Sequence, residues 1–234
     1  MRRGSKEAAM VTSGGSLKLA LVTGGSRGIG RAIARRLRFE GLQVAIADLF
    51  DPHAPLEGVE YHHADISRQE DVEQLAKKLA TAGGVDVLVN NAGVRGPTAP
   101  VIAYPLSDWE AVLAVNLTAA FLCCRAFAPG MQKKEWGRVI NISSMAGKTP
   151  YPLRCGYATS KWGLIGFTLT LAQELGSHGI TVNAVCPGPV ENSAMLSVMQ
   201  QRAVATGKPL DEVRTEYFQH LAIPRLPGEE DVAA

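Results

Sequence analysis

The chain has 234 residues, 46% of them hydrophobic and 20% charged, with a formal net charge of +2; that suits one α/β domain with a substantial core in a soluble globular protein. Its basic residues are scattered rather than gathered in a run, which argues against nucleic acid as a partner, and Arg35, Arg36 and Arg38 read as a solvated helix face. No apolar run is expected to reach the length that spans a bilayer, so no membrane partner is expected either.

Residues 1–16 lack the apolar core of a signal peptide and are expected to form a flexible tail, leaving residues 17–234 as a single domain. Leu19 to Thr23 reads as a buried strand. Gly28 to Glu40 follows as a helix, with Ile29, Ile33 and Leu37 at four-residue spacing and Gly41 ending it in the left-handed conformation. Val44 to Ala47 and Val59 to Ala64 read as strands, and Arg68 to Ala82 as an amphipathic helix. Val85 to Asn90 is a fourth strand. A loop with Gly96, Pro97 and Pro100 precedes a long, mostly apolar helix over Asp108 to Ala128. Arg138 to Ser143 is a fifth strand, Tyr157 to Gly176 a helix, and Ile180 to Cys186 a sixth strand. Residues 189–226 are looser, with Met195, Leu196, Val198 and Met199 placed to form a helix over a pocket.

Alternation of apolar strands with helices predicts an α/β fold, a doubly wound parallel sheet of Rossmann type with helices on both faces. Ligands in such sheets bind at the carboxyl ends of the strands. Four cysteines, Cys123, Cys124, Cys155 and Cys186, show no zinc-like spacing and fit a reducing, cytoplasmic compartment. His62-His63 flank a strand end, and no metal site is expected.

Thr23-Gly24-Gly25-Ser26-Arg27-Gly28-Ile29-Gly30 joins the first strand to the first helix. Its glycines permit a tight turn, and the helix N-terminus presents N–H groups to phosphate, so the segment reads as a nucleotide-binding turn. Asp48 ends the second strand, where a carboxylate accepts hydrogen bonds from a ribose diol and repels a 2′-phosphate, favouring NAD. Arg27 argues for NADP, because a cation there neutralises a 2′-phosphate. Asp65, followed by Ile66, is placed either to meet an adenine amino group or to cap the next helix near Ser67. Asn90-Asn91-Ala92-Gly93 can brace neighbouring strands and leave room for a ribose. Asn116, amid apolar residues, either holds a water or serves the site. Ser143 and Ser144 end the fifth strand, where a hydroxyl can stabilise developing charge on an oxygen.

Tyr157 and Lys161, four residues apart, leave one face of a helix. An ammonium beside a phenol is expected to lower the tyrosine pKa from about 10 toward working pH, making an acid–base pair.

In this order, TGGSRGIG, NNAG, Asn116, Ser144, YATSK and Pro187-Gly188 resemble the short-chain dehydrogenase/reductase family from about Leu17 to Gly188. Ser144, thirteen residues before Tyr157, aligns with the family's catalytic serine. The resemblance implies an oxidoreductase that moves a hydride between NAD(H) and a small alcohol or carbonyl compound. Tyr157 is then the general acid/base, Lys161 lowers its pKa and binds the nicotinamide ribose, Ser144 polarises the substrate oxygen, and Asn116 holds a water of the proton relay. Gly24, Ser26, Arg27, Gly28, Ile29 and Gly30 belong to the cofactor turn. Asp65 binds the adenine ring and Asn91 neighbours the adenosine ribose, Asp48, Ile66, Ala92 and Gly93 are further cofactor-binding residues, and the backbone around Pro187-Gly188 and Val190 meets the nicotinamide amide. A homotetramer or dimer is implied, with residues 108–128 and 157–175 as interface.

Two departures stand out. Asn192 and Ser193 occupy the place of a family threonine that touches the carboxamide. The chain stops at Asp231-Val232-Ala233-Ala234, which looks like the start of a helix that relatives follow with a final strand, so a C-terminally short domain and an exposed sheet edge are expected. Arg95, Lys148 and Arg154 offer cations for an anionic substrate, and Tyr151 and Met195 offer apolar surface. Two other readings stand beside the leading one: an NADPH-dependent 3-oxoacyl-thioester reductase, and a dinucleotide-binding sensor or scaffold without turnover.

Overall fold

The computed structural model describes residues 12–13, 16–219, 221, 223 and 225–234. The expected tail lies largely outside them; Thr12–Ser13 pairs antiparallel with Ser16–Leu17.

Leu19–Thr23 (β1) is an apolar run, and each of its five residues is buried. A strand of that kind needs cover on both faces. It lies parallel between Gln43–Asp48 (β2) and Val87–Asn90 (β4). Val59–His63 (β3), Gly137–Ile142 (β5) and Ile180–Val185 (β6) complete a six-stranded parallel sheet of order β3-β2-β1-β4-β5-β6. Strand order reverses between β1 and β4, which opens a crevice beyond their carboxyl ends. β6 forms one edge of this sheet, with Thr181, Asn183 and Val185 exposed.

Helices cover both faces. On one, Val72, Leu75 and Leu79 of Gln69–Ala80 (α2) pack with Leu21 and Leu88. On the other, Ile33 and Ala34 of Gly28–Phe39 (α1) pack with Val22, Ile46 and Val89. Each large side chain so buried contributes ~1.5–3 kcal/mol relative to exposure. Gly41, at φ 89°, ends α1 as the sequence predicts.

Leu106–Leu113 (α3) and Ala119–Lys133 (α4) are joined by a π-helical turn, Ala114–Thr118, so the uniform helix expected over residues 108–128 is interrupted. Leu106–Lys133 is long and apolar enough to cross a membrane by length and composition, which corrects the expectation that no run reaches that length. Half of its apolar window is buried inside the protein, with Cys123 and Met131 in the core.

Cys155–Leu175 (α5) follows, then Ser193–Thr206 (α6), Leu210–Phe218 (α7) and Glu229–Ala233 (α8). Met195, Val198 and Met199 of α6 form a satellite core with Val213 of α7 and Leu226. α8 packs on α1, tied by an Arg35–Glu230 ion pair of 2.6 Å.

Candidate active site

Two glycines shape the crevice floor. Gly24 adopts φ +63°, and a Cβ there would stand 2.8 Å from Ala92 Cα; a Cβ on Gly30 would collide with Asn91 Nδ2 and Gly24 O. Asn91 Nδ2 donates to Thr23 O and Gly24 O at 2.9 Å each. Thr23 Oγ1 in turn accepts from the Asn91 and Ala92 N–H groups, so the ends of β1 and β4 are stitched together. Deeper, Asn90 Nδ2 donates to Asn141 Oδ1, and Asn141 Nδ2 to Thr168 Oγ1, both at 2.8 Å. This buried chain braces β4, β5 and α5, as expected of the asparagines.

A cleft of about 540 Å3 opens above this floor. Gly24, Arg27, Gly28, Ile29, Gly30, Asp48, Asp65, Ile66, Asn91, Ala92, Gly93, Tyr157 and Lys161 line it. Ser26 does not line the cleft: it is buried behind the wall, with its Oγ donating to Phe50 O at 2.7 Å. Asp48 accepts from Ser26 N at 3.0 Å and Phe50 N at 3.1 Å, which holds its carboxylate in place in the cleft lining. Arg27 is exposed and stacks over the Phe50 ring at 4.7 Å. Asp65 Oδ1 accepts from Ser67 N and Oγ, forming a local turn. The helix-cap alternative for Asp65 is corrected, since Arg68 stands at the N-cap of α2 without a side-chain cap bond.

A second cavity, about 220 Å3, lies beside the first. Ser144, Pro187, Gly188 and Val190 line it, roofed by Met195 and Val198 of α6. Tyr151 and Tyr217 close one side, their hydroxyls 3.1 Å apart. Tyr157 lines both cavities, Lys161 the cleft alone and Ser144 the smaller cavity alone. Tyr157 thus stands in the shared wall, with the Tyr151 ring edge-on at 6.3 Å.

The helix carrying the pair is seated by a stripe of buried Gly156, Ser160, Leu164 and Thr168. That four-residue repeat lets α5 lie close to its neighbours. Lys161 is 4% exposed, and its Nζ donates to Ile142 O at 2.8 Å, 5.8 Å from the Tyr157 ring centre. Burial, reinforced by the charge of Arg95, brings its pKa down to about 8. Tyr157 moves the other way from expectation: burial raises its pKa, while a hydrogen bond with Ser144 and the charge of Arg95 oppose the rise. Desolvation of the phenolate outweighs the neighbouring cations in this arrangement.

Ser143 and Ser144 part company. Ser143 is buried with its Oγ donating to Lys161 O at 3.0 Å; Ser144 Oγ accepts from Ala146 N at 3.1 Å beside the cavity. Asn116, 2% exposed, lines neither cavity. It sits on the π turn, where Nδ2 donates to Val94 O and Ser160 Oγ and Oδ1 accepts from Val94 N at 2.8 Å. The buried amide is therefore satisfied by clamping the loop after β4 to α5.

Lys148 is exposed and lines neither cavity, which removes it from the expected mouth; Arg95 and Arg154 both line the smaller one. Asn192 lines both but is committed: Oδ1 caps α6 through Met195 N at 2.9 Å, and Nδ2 donates to Glu229 Oε1 at 3.0 Å. Sequence reasoning missed Glu229, which lines the cleft and sits 3.5 Å from where a Cβ on Gly28 would stand. It also missed Phe50 and Tyr217. An acidic first turn in the final helix was the available signal for Glu229, but nothing local says where that helix docks.

A profile described as short chain dehydrogenase matches residues 18–203. The D-beta-hydroxybutyrate dehydrogenase of Cupriavidus necator is 35% identical over 209 residues, spanning 85% of this chain and 81% of the relative. The 3-oxoacyl-[acyl-carrier-protein] reductase of Synechocystis sp. is 42% identical over 182 residues, 73% of each. Among solved structures, NAD+-bound xylitol dehydrogenase superposes with a TM-score of 0.85 at 28% identity, covering 92% of this chain and 89% of the other. Actinorhodin polyketide ketoreductase with NADPH gives 0.82 at 33% identity, covering 92% and 87%. With the profile across most of its length and relatives of 35% and 42% identity, this chain belongs to the short-chain dehydrogenase/reductase family of oxidoreductases.

Proposed function

We propose that this chain is an NAD-dependent alcohol dehydrogenase or carbonyl reductase acting on a small molecule. The observation that carries the reading is the position of Tyr157 in the wall between the two cavities, with Lys161 on the cleft side and Ser144 on the other. A cleft of about 540 Å3 suits a cofactor-sized ligand, and Gly24 and Gly30 leave no room for side chains on its floor.

In this reading, the N–H groups opening α1 receive the pyrophosphate. Asp48 accepts from the adenosine ribose, Asp65 and Ile66 border the adenine, and Lys161 meets the nicotinamide ribose. Bound nicotinamide supplies a carbon that accepts or donates a hydride. Ser144 donates to the substrate oxygen as charge develops there. Tyr157 gives that oxygen a proton during reduction and takes one during oxidation. Lys161, fixed against Ile142 O, keeps positive charge beside the phenol, and Asn116 keeps the loop after β4 in register with α5. A cytoplasmic location fits four free cysteines. Phe121, Trp162 and Leu169, exposed on α4 and α5, supply a face for a homo-oligomer.

Arg27, which lines the cleft, favours the second reading, an NADPH-dependent reductase of 3-oxoacyl thioesters; the Synechocystis relative is named a 3-oxoacyl-[acyl-carrier-protein] reductase. Asp48 opposes it, because a carboxylate facing a 2′-phosphate is repelled. Spectrophotometry with NADH and NADPH over a panel of small carbonyl compounds tests the proposal. Loss of reduced-nicotinamide absorbance with NADH is the expected result. Tight dinucleotide binding without turnover across the panel and across the reverse alcohols would favour a sensor or scaffold instead.

A further inference from the structure

The cavity beyond Tyr157 has an electrostatic character that hydride transfer alone does not account for. Arg95 and Arg154 line it, and no aspartate or glutamate does. Among the described residues, the ion pairs formed elsewhere include neither arginine. Arg154 is only 3% exposed, yet its guanidinium donates to neutral oxygens: Gly96 O at 2.8 Å, Gln201 Oε1 at 3.0 Å and Arg95 O at 3.3 Å. Burying a guanidinium without a carboxylate is unfavourable, and burial lowers its pKa accordingly. The arrangement also fixes the backbone of Arg95 and Gly96, while Asn116 fixes Val94 beside them. The Arg95 side chain is exposed, lines both cavities, and its charge reaches Tyr157 and Lys161.

We infer that the smaller cavity takes a short hydroxy acid or oxo acid, with Arg95 pairing its carboxylate while its hydroxyl or carbonyl oxygen meets Ser144 and Tyr157. The inference rests on the proposed function and names its substrate class. Arg154 is a positioning residue: it holds the Arg95–Gly96 backbone and adds positive potential. A volume of about 220 Å3 is below the ~300–1,000 Å3 of sites for drug-sized ligands, which limits the acid to a short one. A neutral thioester would leave both arginines without counter-charge. In the oxidative direction, Tyr157 first gives its phenol proton to solvent; the hydroxyl-bearing carbon then loses its hydrogen as hydride to the oxidised nicotinamide, and the hydroxyl proton passes to the Tyr157 phenolate oxygen. The C–H and O–H bonds break, a C=O bond forms, and the products are the oxo acid, reduced nicotinamide and a proton.

The test is calorimetric titration of the full chain, saturated with NADH, by malonate and by its neutral counterpart malonamide. Malonate is expected to bind about 30-fold more tightly, the increment of a charge-assisted contact. Arg95→Gln should remove that preference while leaving malonamide and NADH affinities within about twofold, and Arg95→Lys should restore part of it. Arg154→Met should weaken malonate but not malonamide, and should add little in the Arg95→Gln background, since coupled residues are non-additive. Equal binding of malonate and malonamide overturns the inference. Loss of NADH affinity rather than malonate preference in Arg95→Gln also overturns it, assigning Arg95 to the dinucleotide. If NADH does not bind, the dehydrogenase reading fails separately; the malonate–malonamide comparison on the free protein still decides whether the cavity selects a carboxylate.

Discussion

Replacing Lys161 by methionine is expected to stabilise the protein at neutral pH. The ammonium is 4% exposed, and its pKa stands at about 8 against an ordinary 10.5. Because the folded-state pKa is depressed, the unfolded chain binds the proton more readily, and the folded state bears a cost at every pH below about 8. That cost is ~3 kcal/mol at pH 7. Methionine has a similar length and no charge, so it removes the cost and keeps most of the packing. It also orphans Ile142 O, which now accepts from Nζ at 2.8 Å, losing ~1–2 kcal/mol. The balance is ~1–2 kcal/mol of added stability, or a Tm higher by ~2–8 °C for a chain of this size. Between pH 8 and 10.5 the native lysine sheds its proton and stability rises, so the advantage of Lys161→Met shrinks with pH and reverses near pH 10. Thermal unfolding at pH 7 and pH 10, followed by circular dichroism, measures both ends. A lower Tm for Lys161→Met at pH 7 would refute the reasoning, because it would mean the buried ammonium stabilises the free protein.

Gly30→Ala should weaken NADH binding at least about tenfold and destabilise the fold by ~1–3 kcal/mol, because its Cβ collides with Asn91 Nδ2 and Gly24 O; calorimetry and denaturant titration measure the two effects. Asp48→Asn should shift the ratio of NADPH to NADH affinity at least about tenfold toward NADPH, since the repelling charge disappears while one amide oxygen still accepts from Ser26 N or Phe50 N. Glu229→Gln should tighten dinucleotide binding about threefold at low salt and less at high salt, as removal of an anion beside the opening turn of α1 requires. An unchanged affinity would mean that Glu229 does not face the bound phosphates.

The central strands were legible because they are buried on both faces. β1 and β4 read as apolar runs, and no competing helical period disturbs them. The glycine turn was legible for a related reason, since a backbone that approaches another closely leaves its mark as glycine. Asn116 was visible as an anomaly, a lone amide among apolar residues, but its π turn was not. That turn depends on bonds to Val94 and Ser160, 22 and 44 residues away, which no local period encodes. Glu229 was hidden in the same way, its place fixed by α8 docking on α1. The direction of the Tyr157 pKa was misjudged because spacing reveals a nearby ammonium but not the desolvation of the phenol. Choice between Ser143 and Ser144 rested on resemblance. Geometry separates them plainly, one bonded into α5 and the other beside the cavity.

The most direct measurement on the account is Tyr157→Phe, assayed for both turnover and NADH affinity. Loss of the proton donor should lower kcat at least about a hundredfold, with NADH affinity within about threefold of the parent protein. Turnover that survives the substitution would contradict Tyr157 as the acid–base group and, with it, the reading of the two cavities as cofactor and substrate sites joined at that residue.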